Sequence, residues 1–136
     1  MKFVLLVCSF LSLTQLKAAP IPGGERILEI TVNQDGLITA VGDTVSEDNL
    51  AHYIQQRLFK AWLENRQMYT RIKFTRKGEV SETVAGNILK EIKDGQEQGL
   101  TAICLEKFRT RFENLDPKKQ ANLRKKLPVL FQTDYS

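Results

Sequence analysis

The spacing of apolar residues changes along this chain from a period of two to a period near four and back again, which restricts the fold to a mixed one. Residues 26–32 (RILEITV) put Ile27, Glu29 and Thr31 on one side and Leu28, Ile30 and Val32 on the other. Alternation with β-branched residues predicts a strand. Asn33-Gln34-Asp35-Gly36 predicts a turn, because Gly36 can take the positive φ of a tight hairpin. Residues 37–41 (LITAV) form the return strand, closed by Gly42-Asp43. Ser46 is then the natural N-cap of a helix, with Glu47 and Asp48 at the positive end of its dipole. Leu50, Ile54, Leu58 and Ala61 recur at helical spacing, flanked by Tyr53 and Trp62, and carry this helix to about Asn65.

A second round follows. Residues 71–75 (RIKFT) alternate and predict a third strand. Ser81 caps a second helix, whose stripe is Val84, Ile88 and Ile92, widened by Ala85 and Leu89. Gly95 and Gly99 read as its exit, and residues 100–105 (LTAICL) as a short, central, fully apolar strand. Asp116-Pro117 opens a short basic helix over residues 118–126, and Val129-Leu130-Phe131 reads as an edge strand. The expected fold class is α+β: a two-layer sandwich, a mixed β-sheet with two helices on one face, order ββαβα(β) plus a basic C-terminal helix. The strand–helix–strand unit over 71–105 is expected to be parallel and right-handed.

The N-terminus decides the compartment. Lys2 precedes an apolar run over residues 3–13 (FVLLVCSFLSL), followed by a more polar stretch and Ala18-Ala19-Pro20, the layout of a secretory signal peptide. Eleven helical residues span roughly 16 Å, whereas a bilayer core is roughly 30 Å thick. A cut after Ala18 puts Leu16 rather than Lys17 at the −3 position. An uncleaved anchor is the alternative. Expected boundaries are a signal at 1–19, a linker rich in Pro and Gly at 20–25, a domain at 26–108 and a C-terminal helical extension and tail at 109–136.

The whole chain has 20 Lys and Arg against 16 Asp and Glu. Lys2 and Lys17 leave with the signal, so the remaining 18 against 16 give +2, nearly balanced, and nucleic acid is a poor partner expectation. Cys8 lies in the signal and Cys104 in an apolar run, so no internal disulfide is expected and Cys104 reads as a buried small hydrophobe.

No catalytic, cofactor-binding or metal-ligating set stands out. His52, the only histidine, reads as a surface residue, and with Cys104 it makes a weak pair on distant elements. Glu29, Asp35, Asp43, Glu47 and Asp48 gather near one end of the hairpin; solvated turn and helix-start charges outweigh a cation site. Trp62 and Tyr69 are candidate aromatic anchors, with core or rim packing as the default. Lys118, Lys119, Arg124, Lys125 and Lys126 make a basic stretch that could meet anionic headgroups or an envelope protein, with a solvated helix as the plainer reading.

Three pieces resemble the periplasmic domain of the ExbD/TolR family: ILEITVNQDGLITAVGDTVSEDNL, RIKFTRKGEVSETVAGNILKEIKD and QEQGLTAICLEK. The close, LRKKLPVLF, resembles the ending of some members. The chain departs from the family in having no long membrane helix and no acidic residue within residues 3–16, where members carry an aspartate. The resemblance implies a non-enzymatic, exported cell-envelope module, periplasmic or associated with the inner membrane, acting by protein–protein contact. Its implied partners are a second copy of itself, transport-complex proteins of the ExbB/TolQ and TonB/TolA type, or peptidoglycan. The competing readings are a secreted ligand- or cell-wall-binding domain and, further off, a small secreted enzyme with a polar pocket.

Overall fold

A computed structural model of the chain describes residues 25–64 and 68–136. Residues 1–24, which hold the expected signal and nearly all of the linker, lie outside the described residues, as do 65–67. The elements are β1 (Ile27–Asn33), β2 (Ile38–Ala40), β3 (Asp43–Val45), α1 (Glu47–Leu63), β4 (Arg71–Lys77), α2 (Glu82–Phe108) and α3 (Pro117–Lys126). Single 3-10 turns lie at Phe112–Asn114 and Pro128–Phe131. The sheet order is β3-β2-β1-β4. β1 runs antiparallel to β2 and parallel to β4, with Leu28 opposite Ile72 and Ile30 opposite Phe74.

The expected α+β class holds: a mixed four-stranded sheet covered by helices. Alternation in β1 accounts for it. Leu28, Ile30 and Val32 are fully buried toward the helices, while Glu29 on the other side is exposed. The hairpin turn is tied by Asn33, whose Oδ1 accepts from the Asp35 and Leu37 N–H groups, both at 2.9 Å. Gly36 takes φ 83° there, as the turn requires. The link from β2 to β3 has Val41 at φ 51° and Gly42 at φ 85°. A β-branched residue in that left-handed region costs roughly 1–2 kcal/mol.

The expected order needs correction in its second half. Residues 100–105 are not a strand. They belong to α2, a single helix of 27 residues running through both Gly95 and Gly99. The parallel pair is therefore β1 with β4, with α1 on the path between them, and not two strands within 71–105. Residues 129–131 lie in a 3-10 turn rather than an edge strand. Asp43–Val45 adds a short strand where the sequence was read only as a turn and helix approach. The helix starts fare better. Ser81 Oγ accepts from the Val84 N–H at 3.1 Å, and Asp116 Oδ1 accepts from the Lys119 N–H at 2.8 Å, with Pro117 in the first turn. Ser46 has the extended backbone of an N-cap but its side chain makes no capping bond.

The two glycines mark the crossing of α1 and α2. A Cβ on Gly95 would sit 2.7 Å from the Ile54 Cβ and 2.8 Å from the Ala51 carbonyl oxygen. A Cβ on Gly99 would meet Leu58 at an ordinary 3.5 Å. Gly95→Ala should therefore destabilise the protein by about 1–3 kcal/mol through overpacking against backbone. Gly99→Ala should stabilise it by up to about 1 kcal/mol through helix propensity. Urea unfolding of the two variants beside the parent reads both signs.

Candidate functional site

Among the described residues β4 is the last strand of the sheet on its side, so its outward N–H and C=O groups have no strand partner there. The chain covers them with its own residues 132–136. The Gln132 carboxamide brackets Ile72: its Nε2 donates to the Ile72 carbonyl at 2.7 Å, and its Oε1 accepts from the Ile72 N–H at 2.7 Å. A side-chain amide thus takes the place of a strand peptide group. Two residues along β4, the Phe74 N–H donates to the Tyr135 carbonyl at 2.8 Å. Arg71 Nη1 donates to the Ser136 carbonyl at 3.4 Å. A cleft of about 310 Å³ runs beside this contact, between Phe74, Arg76 and Leu89 on one side and Tyr135 on the other.

The segment is held from below by Gln96, the buried polar residue of α2, only 2% exposed. Its Nε2 donates to the Val129 carbonyl at 2.7 Å and to the Gln132 carbonyl at 3.1 Å, and its Oε1 accepts from the Tyr135 hydroxyl. Burial, and next the Glu97 carboxylate, push the Tyr135 phenol above its ordinary pKa, so it stays a donor at neutral pH. Every hydrogen-bonding atom of the Gln96 side chain that lies in the interior is thereby matched, as burial demands.

A second concavity, a cleft of about 590 Å³, lies where α1 meets the start of β1 and is lined by Arg26, Tyr53, Arg57, Lys60 and Tyr69 among others. Tyr53 and Arg57 serve the fold there. The Tyr53 hydroxyl lies 3.0 Å from the Ala40 carbonyl and 2.9 Å from Asp43 Oδ2, and Arg57 donates to Tyr53 at 3.1 Å and to Asp43 at 3.3 Å. Burial, and next the hydrogen bond to Asp43, hold the Tyr53 phenol above its ordinary pKa. The group ties α1 to the β2–β3 turn.

The residues singled out from sequence are scattered. His52 is exposed on α1 and Cys104 fully buried on α2, so the two share no surface. Burial first, and the Glu113 carboxylate second, raise the Cys104 thiol above its ordinary pKa, leaving it protonated and unreactive at neutral pH. Asp43 is engaged with Arg57, while Glu29, Asp35, Glu47 and Asp48 are exposed. Among the described residues no group of three or more His, Cys, Asp or Glu is placed to hold a metal. Trp62 is half-buried with Phe59 at 6.0 Å, and Tyr69 is buried beneath the Arg26 guanidinium at 4.3 Å. Neither is an exposed anchor. Sequence reading missed Gln96, Gln132 and Tyr135. Gln96 carried a signal, since it continues the Ile88–Ile92 spacing and so places a polar group on the buried stripe.

No family model matches the chain, and neither a curated protein nor a solved structure matches it.

Gln132→Ala removes both bonds to Ile72. Net values of about 0.5–1.5 kcal/mol per bond predict a loss of amide protection at Ile72 and Phe74 of about tenfold or more. Hydrogen exchange followed by NMR should show that loss while amides of the β1–β2 hairpin keep theirs.

Proposed function

We propose that this protein is a non-enzymatic cell-envelope module that acts by protein–protein contact, adding a strand to the outer edge of β4. What supports this is the way the chain treats that edge. Gln132 and Tyr135 satisfy Ile72 and Phe74 as a neighbouring strand would, yet they do so with a five-residue segment containing no strand of its own. A longer extended segment offers the same bonds in a continuous ladder and pockets for alternate side chains. In this reading the tail is the resident occupant and a second copy of the chain is its competitor.

The specific role proposed is that of an exported accessory to an envelope transport complex of the ExbD/TolR kind, working at the periplasmic side of the inner membrane. Two of the three resembling pieces support it, keeping strand–turn–strand–helix and strand–loop–helix order. The third piece, 96–107, is helical throughout and lends it no support. The absence of an acidic residue within 3–16 sets proton coupling outside the proposed role.

Sedimentation velocity over a range of concentrations tests the reading. The parent chain should self-associate. Gln132→Ala should tighten the apparent dimer by about tenfold or more, because weakening the resident occupant by roughly 1–3 kcal/mol favours its replacement. Two chains that both remain monomeric at every concentration would overturn it.

A further inference from the structure

We propose that the outer face of α3 is a docking surface for an anionic lipid bilayer. Charge is segregated along this chain. Residues 107–136 carry eight Lys and Arg against three Asp and Glu, a net +5, while residues 25–106 carry ten against thirteen, a net −3. The excess concentrates on α3, where Lys118, Lys119, Arg124, Lys125 and Lys126 fall within ten residues that include no acid.

These five cations divide into two groups. Lys119 lies over the Phe108 ring at 5.5 Å, and Arg124 over Phe112 at 5.2 Å and Phe131 at 4.9 Å, so they help hold the helix to the fold. Lys118, Lys125 and Lys126 are exposed, and no carboxylate of the described residues forms an ion pair with them. Lys118, Asn122 and Lys125 follow i, i+4, i+7 and form one crest, opposite the buried Leu123 and Leu127. Lys118 and Lys125 on this crest, with Lys126 next to it in sequence, repel one another; Asp116, which lines the same face, offsets only part of this, and an anionic plane relieves the rest.

The surface fits a bilayer better than the other polyanions. Among the described residues the exposed large apolar side chains are Leu37, Val41, Leu63 and Leu105, none of them on α3. A protein interface wants an apolar centre, and single-stranded nucleic acid wants exposed rings for stacking, whereas electrostatic adsorption to lipid headgroups needs neither. The negative remainder of the molecule is repelled by the same plane, which selects one orientation. The face is separate from the β4 edge, so this inference stands or falls independently of the contact role.

The test is co-sedimentation of the full chain with vesicles of neutral phosphatidylcholine and of phosphatidylcholine with about one-third phosphatidylglycerol. The readout is the ratio of anionic to neutral binding, compared between variants that all keep the same N-terminal segment with its Lys2 and Lys17. The parent should show a strong anionic preference at about 0.05 M salt that collapses at about 0.5 M. The triple variant K118Q/K125Q/K126Q should lower that preference by about tenfold or more. K60Q/K90Q/K93Q, which removes the same charge from exposed positions elsewhere, should leave most of it. All six lysines are exposed, and circular dichroism checks that both variants fold. Equal losses in the two variants would overturn the proposal in favour of net charge. No anionic preference in the parent would overturn it outright, as would indifference to vesicles with retention on heparin or duplex DNA.

Discussion

At Gly95 the backbone of α2 lies against the Ala51 carbonyl and the Ile54 side chain of α1, with no room for a methyl group between them. The rest of the molecule is arranged around that approach. It brings Leu50, Ile54 and Leu58 of α1 down beside Ile88 and Ile92 of α2, and all five are fully buried. It also fixes the rotation of α2, so that the next residue, Gln96, faces the C-terminal segment. One turn of one helix therefore sets both the helix–helix spacing and the anchorage of the chain that covers β4.

How much of this was legible depended on whether a residue signals by what it excludes or by what it allows. The hairpin, the stripe of α1, the strand β4 and the caps at Ser81 and Asp116 were readable, because alternation, helical spacing and side-chain capping are local effects. The class of fold followed from them. The run over 100–105 was misread because a short apolar segment looks alike in a buried strand and a buried helix. The two glycines before it tipped the reading toward a helix exit. In the structure they continue the buried stripe of Ile88 and Ile92 on to Ile103, with glycine chosen for close approach rather than for breaking the helix. The candidate site was hidden more deeply. Gln132 and Tyr135 sit in a short polar tail with no periodicity, and their role depends on a strand sixty residues away.

The two proposed surfaces draw on different physics. In its proposed role the β4 edge would work through directional backbone bonds, with selectivity from register and geometry. In its proposed role the crest of α3 would work through charge without geometry, with a strength that varies with salt. The open face of the sheet offers neither. It carries Glu29 opposite Lys73 and Thr31 opposite Thr75, a pairing of polar and opposite-charge residues suited to water.

The order in which the chain is made adds a further consequence of the Gln132 clasp. Ile72 leaves the ribosome sixty residues before its cover does. For that interval the outermost strand has its ladder groups bare, and a chain interrupted after α3 would keep them so. A truncated or stalled product should therefore be sticky toward extended polypeptide, and dependent on chaperones, in a way that a chain carrying residues 132–136 is not.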